Sequence, residues 1–126
     1  MSEHLDLEAF RNKVFDFVTH TSWKFQGNLP ALVNFWAPWC GLCRMVGPAI
    51  EELSEEFAGR LIVYTVNTDE HRELARLLGM HSIPSLLLIP VNGRPKVVMG
   101  TLPKNELKRI IEAELISTTH LSAIVQ

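Results

Sequence analysis

The chain lacks the features that would direct it to nucleic acid, a membrane or export. Its 12 basic and 14 acidic residues give a formal net charge of -2, which offers no electrostatic attraction to nucleic acid or to an anionic membrane surface. The longest apolar runs, such as residues 85–89, are far too short to span a bilayer. The opening sequence MSEHLDLEAF holds acids and no apolar segment, so we expect no secretory signal and a cytoplasmic protein.

Cysteine is nearly absent, since the sequence contains only Cys40 and Cys43. Structural disulfides are rare in the cytoplasm, so this pair is more consistent with redox chemistry or metal binding. A structural zinc site needs four ligands, and the sequence has no second cysteine pair to complete one. Half of a zinc site and a pair of buried core cysteines remain alternatives, but the neighbouring Trp39 and Gly41 are typical of a redox site.

Short motifs for phosphate-binding loops, dinucleotide-binding folds, zinc peptidases and serine hydrolases are also missing. We therefore expect no bound cofactor and no metal. What is present is the composition of one globular domain, because 126 residues that are 47% hydrophobic and 21% charged are enough to build a core. We expect a single domain over residues 1–126, with a folded core at about 7–116 and a C-terminal extension at 117–126.

Hydrophobic periodicity and turn signals divide the chain into helices and strands. Asp6 and Asp69 are candidate N-caps, Asn92-Gly93 is a hairpin signal, and Pro48 should kink the helix that contains it. The predicted elements are a helix at 7–17, a short edge strand at 23–26, a strand at 31–37, a helix at 45–58, a strand at 61–67, a helix at 70–78, strands at 85–90 and 96–100, and a last helix opened by Thr101 and Pro103. This order predicts an α/β fold with a parallel sheet core, an antiparallel hairpin at one edge and helices on both faces.

Several landmarks match the pattern of one known family. WCGLC surrounds the two cysteines, Pro48 lies in the helix that follows, SIPSLLL contains Pro84, and Gly100 ends the predicted hairpin. From about Leu7 to Leu115 the chain resembles the thioredoxin family, whose motif is WCGPC, and its WKFQGNLPALVNF and IPVNGRP segments look most like a bacterial branch. The resemblance implies the thioredoxin fold, with a central mixed β-sheet flanked by helices on both faces.

The two cysteines themselves predict thiol–disulfide exchange. Cys40 lies where a strand ends and a helix begins, and the unpaired N–H groups and positive dipole end of a helix start stabilise a thiolate. Cys43 lies one turn further along the same side, where it can close a disulfide. We expect the Cys40 thiolate to attack a disulfide in a partner protein and the buried Cys43 thiol to resolve the mixed disulfide.

The family resemblance implies the rest of the site. It places a cis peptide bond before Pro84, packed against the cysteines, and leaves the backbone of Ile83 free to pair with an extended substrate segment. The implied partners are many disulfide-containing proteins and a thioredoxin reductase as electron donor, because the sequence has no flavin or nicotinamide site, and we expect a monomer. The expected substrate groove comprises Trp39, Gly41, Leu42, Ser82, Ile83, Pro84 and Gly100.

Four positions could modulate this chemistry. Leu42 stands where the family has proline, and its freer backbone should alter the redox potential. Asn34 replaces a buried aspartate thought to take the proton from Cys43, and Thr65 replaces a lysine common beside it; losing only one would leave a buried charge at a cost of about 3–5 kcal/mol. Because an amide cannot titrate, we hypothesise slower or water-mediated resolution, unless Asn34 is simply a hydrogen-bonded core amide. His81 either favours a thiolate by its charge or is a solvated loop residue.

Two other functions remain consistent with the sequence. Leu42 leaves room for a disulfide isomerase or oxidant using the same chemistry, which a redox potential measured against glutathione would distinguish. Asn34 leaves room for a thioredoxin-fold docking module with weak redox activity. The other histidines are expected at the surface: His4, His20, His71 and His120.

Overall fold

The computed structural model describes residues 2–116, which form a five-stranded sheet covered by helices. The helices are α1 (Leu7–Lys13), α2 (Gly41–Glu56), α3 (Arg72–Leu77) and α4 (Lys104–Ile111), the last continued by a π-helical turn at Glu112–Ile116. The strands are β1 (Glu3–His4), β2 (Ala31–Trp36), β3 (Ile62–Asn67), β4 (Ser85–Ile89) and β5 (Lys96–Met99). The predicted C-terminal extension at 117–126 lies outside the described residues.

The sheet is mixed, with the strand order β1-β3-β2-β4-β5. Strands β1, β3 and β2 run parallel to one another, whereas β4 is antiparallel to both β2 and β5. The predicted parallel core, the antiparallel hairpin and the α/β class are therefore confirmed. The hairpin follows from Asn92-Gly93, because Gly93 has a φ of +104° that other residues rarely adopt.

Two hydrophobic clusters cover the two faces of the sheet. Strand β2 is buried along its length because it lies in the middle of the sheet between helix layers. Its Val33 packs with Phe10 of α1 on one face. Its Leu32 packs with Ile50 of α2 and Leu107 of α4 on the other.

Helix α2 begins at Gly41, four residues earlier than predicted. The Cys40 sulfur accepts a hydrogen bond from the amide of Cys43 and so caps the first turn. The periodicity missed residues 41–44 because Leu42 there is exposed and does not extend the buried stripe of the helix. Pro48 lies inside the helix, as predicted.

The start of the chain differs from the prediction in two places. Helix α1 is capped by Asp6 as expected, but it ends at Lys13 because Asp16 accepts hydrogen bonds from the amides of the following turn. The predicted edge strand at 23–26 is wrong, since β1 pairs with β3 at that edge. Trp23 instead stacks on Phe15, with ring centroids 4.7 Å apart, so this segment folds across the end of α1.

The prediction that Asp69 caps the third helix is also wrong. Helix α3 begins at Arg72, and its N-cap residue, His71, makes no side-chain capping bond. The Asn67 side chain instead accepts hydrogen bonds from the amides of Asp69 and Glu70, forming a turn that delays the helix. This turn leaves the Asp69 carboxylate available for a different contact.

Candidate active site

The two cysteines lie at the N-terminal end of α2 and are bonded to each other. Cys40 has an extended backbone and is the N-cap residue, with its Sγ 3.2 Å from the amide nitrogen of Cys43. Their Cα atoms are 5.3 Å apart, within the range that a disulfide spans. The first turn of α2 contains no acidic residue, so nothing in that turn offsets the positive end of the helix dipole.

Burial does not separate the two sulfur-bearing residues in this oxidised state. Cys40 is 6% exposed and Cys43 is 5% exposed, whereas the sequence predicted an outer and a buried thiol. Both belong to a small cluster with Ala37, against which Trp36 and Ile83 pack. Their difference therefore lies in position, since only Cys40 occupies the cap of the helix.

Trp39 projects beside the cysteines and is 68% exposed. Its indole nitrogen donates a hydrogen bond of 3.0 Å to the carboxylate of Asp69. Sequence reasoning missed this contact because the two residues are 30 positions apart and Asp69 resembled a helix cap. The bond fixes one edge of the ring and leaves an apolar face open beside Cys40.

The predicted proline loop reaches the same site from the other side. The Ile83–Pro84 peptide bond is cis, and Ile83 packs against the cysteine cluster. The carbonyl of Pro84 accepts a hydrogen bond of 3.0 Å from the amide of Gly100, whose φ is +87°. Ser82 lies exposed beside Ile83, so of this loop it is Ile83 that contacts the cysteine cluster, while Pro84 is bonded to Gly100.

The remaining predicted groove residues lie on the first turn of α2. Gly41 leaves open space where a side chain would start. Leu42 is about half exposed, and Met45 is exposed as well. His81 is exposed beside Ser82. Another exposed apolar residue, Met99, precedes Gly100, so the segments that form the site carry apolar side chains on their solvent-facing sides.

Three polar residues form a row behind Cys43, here called the polar row (His4, Thr65 and Asn34). His4 of β1 pairs in register with Thr65 of β3, which pairs with Asn34 of β2. Strand alternation turns all three toward the α2 face, because the adjacent Leu5 and Val33 pack in the cluster on the opposite face. The sequence placed Asn34 near Thr65 correctly but gave no sign of His4, since a two-residue strand has no readable periodicity.

The polar row lines a cleft of about 800 Å³ that also reaches Cys43, Gly47 and Glu51. Within it, Thr65 Oγ1 lies 2.8 Å from His4 Nδ1. Asn34 is 5% exposed, and its Oδ1 has no hydrogen-bond partner within residues 2–116. If Asn34 is a hydrogen-bonded core amide, the partner of this oxygen is therefore not a protein atom of residues 2–116.

The cleft holds one carboxylate close to the polar row. Burial raises the pKa of Glu51, but hydrogen bonds from the Ser2 hydroxyl and amide and the positive charge of His4 bring that pKa below its ordinary value. The carboxylate is thus held in its charged form.

No group of three or more His, Cys, Asp or Glu side chains in the described part of the chain is arranged to hold a metal ion.

None of the helices formed by residues 2–116 combines the length and apolar character needed to cross a bilayer.

Comparisons with known proteins agree with this geometry. The family model described as "Thioredoxin" matches residues 11–113. A thioredoxin from Borreliella burgdorferi is 38% identical over 112 residues, which cover 89% of this chain and 96% of the relative. Thioredoxin 1 from Nostoc sp. is 39% identical over 101 residues, covering 78% and 94%. A crystal structure of chloroplastic thioredoxin z superposes with a TM-score of 0.74 at 23% identity, covering 89% of this chain and 92% of that one, which shows the fold alone.

Proposed function

This chain belongs to the thioredoxin family, and on that premise we propose that Cys40 is its attacking sulfur and Cys43 its resolving sulfur. The family's activity, protein thiol–disulfide exchange, is the activity of this protein. The observation that carries the order of attack is the cap position of Cys40, whose sulfur already accepts a hydrogen bond from the first turn of α2. A cysteine pKa lowered in this way is already known for thioredoxin, so its direction is not particular to this chain.

The exchange proceeds in two balanced steps. The Cys40 thiolate attacks one sulfur of a substrate disulfide, and the other substrate sulfur leaves as a thiolate. Cys43 then loses its proton and attacks Cys40, which releases the second substrate sulfur and leaves the Cys40–Cys43 disulfide. A thioredoxin reductase supplies the two electrons that return this disulfide to the dithiol.

The proposed docking surface is the groove between Trp39, Ile83 and Gly100. An extended substrate segment would pair with the backbone at Ile83, as an added strand does, while its side chains meet the exposed apolar surface. Recognition through backbone and general apolar contact fits many disulfide-containing proteins rather than one. The Gly100 amide bonded to Pro84 supports this arrangement, because it holds the two walls together.

We also propose a monomer that acts as one domain in the cytoplasm. The Borreliella relative spans nearly all of this chain, which supports one domain of this length. Size-exclusion chromatography with light scattering tests the monomer, since a mass of twice 14.3 kDa would exclude it. Fractionation of the source cell tests the location.

Trapping with Cys43→Ser tests the order of attack. Without the resolving thiol, mixed disulfides through Cys40 should accumulate and can be isolated and identified by mass spectrometry. The matched variant Cys40→Ser should trap far fewer partners. Equal trapping by both variants would contradict the assignment.

Leu42 favours one alternative within the same chemistry. It replaces a ring-constrained proline and is about half exposed, so the stabilities of the dithiol and disulfide states need not match those of relatives with proline. An oxidant or isomerase would have a less negative potential than a reductant. Equilibration against glutathione in wild type and Leu42→Pro measures this directly.

A further inference from the structure

We propose that His4 takes the proton of the Cys43 thiol during resolution, through Thr65 and a bridging water in the cleft. The inference rests on the proposed order of attack, in which Cys43 is the resolving thiol. In this proposal the polar row accepts the proton through His4, because the amide of Asn34 does not titrate and cannot accept it.

The contact between His4 and Thr65 provides the last link of this relay. The Thr65 hydroxyl is buried and lies 2.8 Å from His4 Nδ1. When His4 is neutral with its hydrogen on Nε2, Nδ1 accepts the hydroxyl hydrogen. The hydroxyl oxygen can then accept a hydrogen from a water in the cleft, so a proton can move from that water to the imidazole.

Asn34 provides the position for the water between Thr65 and Cys43. Leaving a buried acceptor unpaired costs about 1–3 kcal/mol, and Asn34 Oδ1 has no partner within residues 2–116. The cleft that Asn34 and Cys43 share contains several polar side chains and is large enough to admit water. A water bound to Oδ1 satisfies this oxygen and stands beside the next residue of the polar row.

His4 is suited to receive a proton because it is exposed at the other end of the row. Imidazole is the side chain that serves most often as a proton acceptor in proteins. The imidazole can therefore accept a proton from the interior side and release it to bulk solvent. A buried acceptor would need a second route for the proton to leave.

The step balances without any additional reactant. The Cys43 thiol loses its proton through water and Thr65 to His4, which becomes an imidazolium. The electron pair left on Cys43 forms the bond to Cys40, and the bond between Cys40 and the substrate sulfur breaks. The substrate sulfur leaves with that pair, takes a proton from solvent, and the imidazolium returns its proton to solvent.

Other charged groups near His4 must be considered as acceptors. Glu51 is the nearest rival, but its carboxylate is bound by Ser2 and its pKa is lowered, which makes it a weaker base. Arg44 also lines the cleft but cannot accept a proton, and its guanidinium donates to the carbonyl of Pro38. His4 also lines a second cleft, which it shares with three further titratable side chains: Asp6, Glu70 and His71.

The test separates the two sulfur steps in a single turnover. Reduced protein is mixed with bis(carboxynitrophenyl) disulfide, which releases one coloured thiolate when Cys40 attacks and a second when Cys43 resolves. His4→Gln should slow the second release about a hundredfold near neutral pH, the lower end of the range expected of a general base, and leave the first within twofold. The rate of the wild-type second step should show an inflection with pH that is absent from His4→Gln.

Matched variants exclude a merely structural effect. Thr65→Val, which keeps the shape but removes the hydroxyl, should slow the second step like His4→Gln, and Thr65→Ser should restore it. Added imidazole should accelerate the second step of His4→Ala, and His20→Gln should change neither step. Loss of the second release in Cys43→Ser tests the order of attack separately from His4.

Three results would overturn the proposal. The second step of His4→Gln could keep the wild-type rate and inflection. Both steps could fall together with the melting temperature, which would show a structural role. Glu51→Gln could remove the inflection while His4→Gln retains it, which would assign the proton to the carboxylate.

Discussion

The two sides of the Cys40–Cys43 disulfide are built in different ways. We call the side with the proposed substrate groove the front and the side with the polar row behind Cys43 the rear. At the front, the helix start, the cis peptide bond before Pro84 and the Gly100 amide form the site mainly from backbone. At the rear, the polar row and the cleft present side chains whose hydrogens can move. Backbone geometry tolerates many changes of side chain, whereas proton transfer depends on which groups titrate, so the departures Asn34 and Thr65 should alter the second step of exchange more than the first.

Cys40→Ser should have the largest effect, because it removes the sulfur at the front that is proposed to attack the substrate disulfide. Reduction of insulin in the presence of a thioredoxin reductase should fall to the uncatalysed background, since a serine hydroxyl is not ionised at neutral pH. The turbidity of precipitating insulin chains measures the rate. Wild-type activity in Cys40→Ser would show that redox chemistry at this site is incidental.

Asn34→Asp probes the rear by restoring a titratable group there. Burial raises the pKa of the introduced carboxyl, so the variant should be least destabilised below the ordinary aspartate pKa of about 4 and lose about 1–3 kcal/mol as pH rises from there through the raised pKa of the folded state. Urea unfolding at several pH values measures the free energy of unfolding. The resolution step should become faster and less dependent on His4. Stability and exchange rates that match wild type across pH would contradict a distinct role for the rear.

Gly100→Ala tests the backbone of the front without removing a contact. The φ of Gly100 is +87°, and nothing lies within 4 Å of an added Cβ, so the whole cost should come from backbone strain, about 1–2 kcal/mol. Gly47→Ala is the matched control in the middle of α2, where the same change should stabilise by about 0.5–1 kcal/mol. Thermal unfolding compares them, and equal shifts would mean that backbone strain at Gly100 is unimportant.

Asp69→Ala should have the smallest effect, because it removes one exposed hydrogen bond. The bond to the Trp39 indole contributes about 0.5–1 kcal/mol at most, which corresponds to a two- to fivefold change in the rate of insulin reduction. Asp69→Asn retains an acceptor oxygen and should behave like wild type. Tryptophan fluorescence reports the loosened ring, and unchanged rate and emission in Asp69→Ala would show that the bond does not position Trp39.

The front could be predicted almost completely from the sequence. Residue type and spacing identify Cys40 and Cys43 as a redox pair. The predicted groove residues come from positions matched to the family pattern. The periodicity starts the helix four residues too late because Leu42 in its first turn is exposed. Residue type and local spacing carry most of the information for a site made from backbone.

The rear could be predicted only in part. Asn34 and Thr65 stand out because they depart from the family pattern, whereas the sequence predicts only that His4 lies at the surface, which is confirmed, and not its contact with Thr65. Its contact with Thr65 joins residues 61 positions apart, and the strand that creates it has two residues. The hydrogen bond between Trp39 and Asp69 was not predicted for the same reason, because contacts between side chains far apart in the sequence produce no periodic pattern.

The pH dependence of Cys40 alkylation tests most directly how the front works. Reduced wild type and the Cys43→Ser variant are treated with iodoacetamide across a range of pH, and the modified cysteine is identified by mass spectrometry. A thiolate stabilised by the start of α2 predicts that Cys40 reacts with a midpoint well below the value of about 8.5 for a free thiol, while Cys43 reacts only at higher pH. A midpoint for Cys40 at or above that of a free thiol would contradict the account.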